Sequence, residues 1–298
     1  VQMHVFVTGA TGWIGSAVVD ELLDAGHEVT GLARSDDSAA ALEKKGARVH
    51  RGDLDLPESI RAGAAGADGV VHLANKHDWA EPAASDRAER NAVEAMLDVL
   101  AGTDRPIIVA NGLSGLVEGR PATEADPSPA LGPGSDRGGS ENLTLDHAER
   151  GVRSMVVRFA PSVHGAGDWG FVAFLTAAAK ERGVSGFIGD GTTTWSAVHR
   201  ADAARLVRLG LEEAPAGSRL HAVAEEAVST REIAEAIGHA LGLPVASIAP
   251  EDAAEHFGFV GAFFGMDMSA SSARTRELLG WTPSGPALVE DIRAGAYA

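Results

Sequence analysis

Three glycines, Gly9, Gly12 and Gly15 in VFVTGATGWIGSAVV, separate a short apolar run from a segment of helical periodicity. Glycine permits a tight turn and lets backbone approach a pyrophosphate, which then sits at the N–H groups that open the helix. Gly-rich turns also serve plain structure, but the flanking strand and helix point to dinucleotide binding. Where the second apolar run ends, an acidic residue would hold the ribose hydroxyls of NAD; this chain reads GLARSDD instead, with Arg34 and Ser35 there. A guanidinium pairs with a 2′-phosphate and a serine adds a hydrogen bond, so the expected cofactor is NADP, with NAD second. Asp36 and Asp37 follow, and either repel that phosphate or face water. His72, His77 and His147 lack metal-ligand spacing with any acidic partner. SDRGG and GGSEN lack the strand–elbow–helix context of a serine nucleophile.

The elements that must position these groups alternate. HVFVT (4–8), HEVTGLA (27–33), ARVHRGDL (47–54), DGVVHLA (68–74), RPIIVAN (105–111) and RSMVVRFA (153–160) read as strands. Between them, 14–23, 38–45, 82–101 and 140–151 carry helical spacing, and 117–137 is an irregular stretch too polar for core. Strands alternating with helices predict a parallel sheet covered on both faces. After about residue 165 the pattern becomes helices separated by Gly- and Pro-rich turns, with one more strand, SRLHAVA (218–224), expected to rejoin the sheet.

A chain of 298 residues with 45% hydrophobic composition can bury roughly 75% of its unfolded surface without staples. It has no cysteine, which excludes disulfides, thiolate chemistry and cysteine-ligated metal. The formal charge of −17, from 42 acidic and 25 basic residues, repels phosphate backbones and anionic membranes, so neither nucleic acid nor membrane is an expected partner. A small-molecule substrate is, with a homodimer as the assembly to test. There is no run of 18 or more apolar residues and no basic-then-apolar start, and the expected location is the cytoplasm. Val1 and Gln2, ahead of Met3, are read as additions outside the fold.

With its Gly-x-x-Gly-x-x-Gly spacing, the chain resembles the extended short-chain dehydrogenase/reductase family, of epimerase/dehydratase-like type. The resemblance runs on through RGDL (51–54), VVHLAN (70–75), Asn91, VVRFAPSVHG (156–165), SAVHRADAARL (196–206) and SSARTRELLGW (271–281), nearly the whole chain. It implies an α/β Rossmann-type doubly wound parallel sheet over 1–165, a smaller substrate domain mainly over 166–298, and a cleft between them. It further implies that Thr11, Trp13 and Ile14 join the three glycines at the cofactor, and that Asp53, beside Leu54, meets the adenine amine. Leu73, Ala74 and Asn75 would line the cofactor, and Pro161 to Val163 would border the nicotinamide.

In that family a tyrosine protonates the new alkoxide, a lysine four residues later lowers its pKa, and a hydroxyl at the end of the fifth strand orients the oxygen. Here the matching segment is RGGSENL (137–143), with Arg137 at the tyrosine position and Glu141 at the lysine position. The only tyrosine in the sequence is Tyr297, and no Tyr-x-x-x-Lys occurs. Arginine hardly yields a proton at neutral pH, and glutamate would raise a neighbouring acid's pKa, so the pair is not expected to take over those roles. At i,i+4 it reads most simply as a helix-start ion pair, with Arg137 otherwise an anion or carbonyl clamp. Ser114 in VANGLSGLVEG is the candidate hydroxyl, and His164 the candidate substitute acid.

General acid catalysis is typically worth about 10²–10⁴-fold. Its loss fits a reductase of an activated C=N, C=C or C=O group in an apolar or cyclic molecule, since Trp169, Phe171, Phe174 and Trp195 cluster beyond His164. The alternatives are a non-catalytic NADP-binding sensor and a nucleotide-sugar epimerase/dehydratase-like enzyme with a substitute acid.

Overall fold

The computed structural model describes residues 1–78 and 80–298. Its first half runs β1 (His4–Thr8), α1 (Trp13–Asp24), β2 (Glu28–Ala33), α2 (Asp36–Lys45), β3 (Arg48–Arg51), α3 (Pro57–Ala65), β4 (Gly69–His72), α4 (Pro82–Leu100), β5 (Pro106–Gly112), α5 (Ser140–Asp146) and β6 (Arg153–Phe159). The second half adds β7 (Ser162–His164), α6 (Phe171–Arg182), β8 (Ser185–Ile188), β9 (Thr194–His199), α7 (Arg200–Glu213), β10 (Ser218–Ala222), β11 (Glu225–Ser229), α8 (Thr230–Leu241) and β12 (Val245–Ile248). Four short helices close it, α9 (Ala253–Phe257), α10 (Val260–Phe264), α11 (Ala273–Leu279) and α12 (Leu288–Arg293).

Seven strands form one parallel sheet in the order β10-β6-β5-β4-β1-β2-β3, the Rossmann-type doubly wound arrangement. In β1 the period-2 alternation sends Val5 and Val7 to one face and Phe6 to the other, all three fully buried. The valines pack with Val18 and Leu22 of α1 and Leu206 and Leu211 of α7, and Phe6 with Ile60 of α3 and Met96 and Leu97 of α4. Burial on both faces is why these strands read as near-continuous apolar runs. The chain leaves β1 towards β2 on one side, while β4 lies on the other. This reversal opens a crevice at the carboxyl ends of β1 and β4.

The second half departs from the helical expectation. Two small sheets, β11-β9-β7 and β12-β8, frame a second core around Leu175, Trp195, Ile237, Phe257 and Phe264. Their strands are three to six residues long, too short for alternation to stand out from the Gly-rich turns beside them. The chain enters this layer at β7, which pairs with β9, and returns to the large sheet at β10, parallel to β6. The 117–137 stretch is irregular but not wholly exposed. Ala122 is buried, and the buried Glu124 carboxylate accepts hydrogen bonds from the Thr275 N–H and hydroxyl at 2.8 and 2.7 Å.

Candidate active site

Each glycine of the first turn has a different geometric duty. Gly9 has φ +64°, and a Cβ there would lie 2.7 Å from the Ala74 nitrogen. A Cβ on Gly15 would lie 1.9 Å from the Gly9 carbonyl oxygen, so the helix start is pressed onto the turn. Gly12 differs. It is the N-cap of α1 at φ −72°, no side chain caps the helix, and the single neighbour of a built Cβ is the Gly9 oxygen at 3.2 Å. Backbone N–H groups of the first turn are left without intrahelical partners and at the positive end of the helix dipole. Only Gly12 of the three leaves room for a ligand. That cradle fits a dinucleotide pyrophosphate.

Gly12 lies on the wall of a cleft of about 1070 Å³ that runs along the carboxyl edge of the sheet. Its wall also holds Gly9, Thr11, Trp13, Ile14, Gly15, Arg34, Ser35, Asp53, Leu54, Leu73, Ala74, Asn75 and Pro161. Val163 is not on that wall. It is buried, and its carbonyl accepts a 2.7 Å hydrogen bond from Trp13 Nε1, so it braces the cradle from behind. At the end of β2, Arg34 is exposed, and Ser35 caps α2 by accepting from the Ser38 N–H. Asp36 is held by Arg51 at 2.6 Å, which partly neutralises one of the two carboxylates that follow Ser35.

Arg137 and Glu141 part company, contrary to the helix-start ion pair expected. Arg137, Gly138 and Gly139 all have left-handed backbone, φ +51°, +62° and +64°, so i,i+4 spacing does not place the two side chains on one helical face. The turn is held against α4, where Asp86 accepts from the Arg137 N–H at 2.9 Å and Arg90 donates to the Gly138 carbonyl at 2.9 Å. Glu141 turns into the core. Its carboxylate meets fully buried Arg158 at 2.5 and 3.2 Å and accepts from Asn111 Nδ2 at 2.6 Å. Arg137 stays on the cleft wall, and its guanidinium reaches Glu89 of α4 at 3.3 Å.

Glu89 is a functional candidate that sequence reasoning missed. It is 1% exposed, and its second oxygen lies 3.4 Å from His72 Nε2. His72 Nδ1 is 2.7 Å from the Thr8 hydroxyl, which accepts the Leu73 and Ala74 N–H groups at 3.2 Å each. With both acceptor positions filled, that hydroxyl donates to Nδ1 and leaves the His72 proton on Nε2, facing Glu89. A buried polar chain thus runs from Arg137 to the backbone of the cofactor wall. Burial opposes the ionisation of Glu89, but the attraction of Arg137, His72 and His77 outweighs it and holds the carboxyl below its usual range.

A carboxyl lowered in this way stabilises the fold above the ordinary glutamate pKa of about 4.3, and that contribution is lost as pH falls through the folded value. Glu89→Gln is therefore expected to lower stability at neutral pH and flatten the acid limb of the stability curve. Urea unfolding from neutral to acid pH reads this; an acid limb of unchanged slope would contradict it.

Ser114 stands exposed on the cleft wall just past β5, with Leu113 buried behind it. His164 does not reach the cleft, which corrects its candidacy as substitute acid. It is fully buried, with Nδ1 2.7 Å from Asp291 on α12. Burial lowers its pKa against the pull of Asp291. The titratable ring that does line the cleft is His77, in the loop after β4 at φ +49°. Burial and the charge of Arg137 lower its pKa against the pull of Glu89. The far wall is apolar, with Trp169, Phe171, Phe263 and Met268. Trp169 stands edge-on to Trp13 at 5.6 Å, so the two walls meet there.

A family model described as NAD(P)H-binding matches residues 9–125. A protein of Schizosaccharomyces pombe is 44% identical over 99% of this chain and all of its own length. A 4-hydroxy-2-methyl-3-oxo-4-farnesyl-3,4-dihydroquinoline-1-oxide ketoreductase of Stigmatella aurantiaca is 28% identical over 72% of this chain and 66% of its own. Among solved structures, a UDP-glucose 4-epimerase of Stenotrophomonas maltophila with bound NAD and formylated UDP-arabinopyranose superposes with a TM-score of 0.77 at 19% identity, covering 99% of this chain and 97% of that one.

Proposed function

We propose that the chain, whose residues 9–125 match an NAD(P)H-binding family model and whose fold and motifs resemble the extended short-chain dehydrogenase/reductase family, is an NADP(H)-dependent reductase of an activated C=N, C=C or C=O group in an apolar or cyclic small molecule. The observation that carries this reading is a single cleft with two unlike ends. One end has the glycine cradle and the exposed Arg34, the other an apolar wall of Trp169, Phe171, Phe263 and Met268. The ketoreductase relative, whose name describes a farnesylated ring, supports the same class of substrate. At about 1070 Å³ the cleft is at or above the roughly 300–1,000 Å³ of a single small-molecule site, room for a cofactor and a second molecule.

When bound, the reduced nicotinamide supplies a hydride to the electrophilic carbon of the substrate. The protein's part is then to hold that carbon in place and stabilise charge. Arg137 is a fixed positive charge on the cleft wall, suited to an oxygen that becomes negative, and the Ser114 hydroxyl can orient that oxygen. Neither replaces a tyrosine as proton donor. An iminium carbon needs no proton on accepting hydride, and an enone leaves an enolate that a weak or solvent-borne acid can protonate. The test is NADPH oxidation over ketones, imines and enones, beside calorimetry with NADP and NAD. Turnover on one of these classes with NADPH preferred supports the reading. Tight NADP binding with no turnover on any class would favour a sensor.

Cofactor choice rests on Arg34. A charge-assisted hydrogen bond is worth roughly 1.5–3 kcal/mol, so Arg34→Asp should weaken NADPH binding about 10–150-fold and leave NADH nearly unchanged. Equal affinity for NADPH before and after the substitution would sink the assignment.

A further inference from the structure

The apolar wall does not end inside the cleft. Phe171 of α6 stacks on Phe263 of α10 with centroids 4.8 Å apart and planes at 24°, and both line the cleft. One helical step outward, Phe174 meets Phe259 edge-on, again at 4.8 Å. Spacings of i,i+3 on α6 and i,i+4 leading into α10 bring the two pairs together as successive rungs. The inner rung faces the cleft, while each ring of the outer rung is 45% exposed. Trp169, 61% exposed, stands at the same mouth. Single exposed apolar residues are ordinary, but rings in mutual contact and continuous with a binding cleft mark a surface that takes a ligand.

Charge points the same way. Among the described residues of the wall, the lysine and arginine cations are Arg34, Lys76 and Arg137. Lys76 is held by Asp55 at 2.7 Å and Arg137 by Glu89, which leaves Arg34 at the cofactor end. A second pyrophosphate, as a nucleotide sugar would bring, would meet Arg137 and Lys76, each already offset in part by a carboxylate. Asp78, Asp86 and Asp136 there would repel it.

Resting on the reading of this cleft as a reductase's, we infer that the substrate carries an elongated hydrocarbon arm. The arm leaves the cleft across Phe171 and Phe263 and ends on Phe174 and Phe259. The reacting group then stays in the cleft while the arm sets affinity.

Binding without turnover tests this directly. The series from 2-butanone to 2-dodecanone is titrated onto NADP⁺-saturated protein, with tryptophan fluorescence as readout. Affinity should tighten about two- to fourfold per added methylene, near the value for methylene burial, and the gain should fade once the chain passes the outer rung. In the double variant Phe174→Ser, Phe259→Ser the gain should stop at shorter chains, with 2-butanone and NADP⁺ affinities unchanged. Affinity independent of chain length, or equal weakening of short and long ketones, would overturn the inference. So would sedimentation showing a wild-type dimer that the double variant splits while the chain-length dependence stays intact; the rung would then face a second copy. Failure of NADP⁺ to bind would instead sink the proposed function, and the same titration on cofactor-free protein would still decide the arm.

Discussion

Gly12→Val is expected to abolish binding of NADP and NAD alike while the fold survives. At φ −72° the N-cap backbone suits an L-residue, and a Cβ meets the Gly9 oxygen at 3.2 Å, a tight contact that the turn relieves by giving a few tenths of an ångström. The rest of the isopropyl group therefore enters the cleft, where it denies a pyrophosphate access to the amides opening α1. Losing two charge-assisted hydrogen bonds of roughly 1.5–3 kcal/mol each amounts to at least about 100-fold in affinity. Calorimetry with either dinucleotide reads the loss, and circular dichroism with thermal unfolding shows that the protein remains folded. Gly15→Ala provides the contrast. Its Cβ would sit 1.9 Å from the Gly9 oxygen, so that substitution should damage the turn and stability together. Retention of NADP affinity within tenfold in Gly12→Val would mean that the dinucleotide does not use this helix start.

The second large effect concerns stability. Glu141→Ala removes the partner of Arg158 from a site where the two side chains are 1% and 0% exposed. Breaking a buried pair from one side leaves an uncompensated charge and typically costs about 3–5 kcal/mol. Arg219, 3.4 Å from the same carboxylate, loses a counter-charge, and the Asn111 amide loses its acceptor. Urea unfolding should show a lower midpoint at unchanged slope. The double variant Glu141→Leu, Arg158→Met should recover most of the loss, because well-packed apolar replacements of buried pairs are often neutral or better. A Glu141→Ala protein as stable as wild type, but inactive, would instead make Glu141 a catalytic group.

The glycine cradle and the order of the first elements are legible because they rest on local rules, whereas most of the other cleft-wall residues, Asp53, Leu73, Ala74 and Pro161 among them, are reached only through the resemblance. A strand must end where Gly9 turns, and period-2 and period-3.6 patterns mark their own elements. The partners of Arg137 and Glu141 are not local. Their separation depends on three consecutive left-handed residues, and RGG reads equally well as the start of a helix. His164 followed the last core strands in sequence, but only the docking of α12 onto β7 shows that its ring turns to Asp291 rather than to the cleft. Glu89 had a signal that went unused. In α4 the buried positions 92, 93, 96, 97 and 100 continue back to 88 and 89, so the helical stripe puts a carboxylate in the core. An acid on a buried stripe demands a partner, and a search for its cation leads to Arg137.

The left-handed run at 137–139 also bears on redesign. Introducing a tyrosine and a lysine through Arg137→Tyr and Glu141→Lys would not build a tyrosine–lysine acid. The tyrosine would inherit a backbone at φ +51°, outside any helix, and would strip Glu89 of its counter-charge. The lysine would put a third cation beside Arg158 and Arg219 in the core. Each change is unfavourable alone, and the pair cannot meet until Gly138 and Gly139 are also recoiled into a helix. Installing such a pair would therefore take changes at 137, 138, 139 and 141 together, whereas one substitution on the exposed part of the cleft wall could bring in a proton donor.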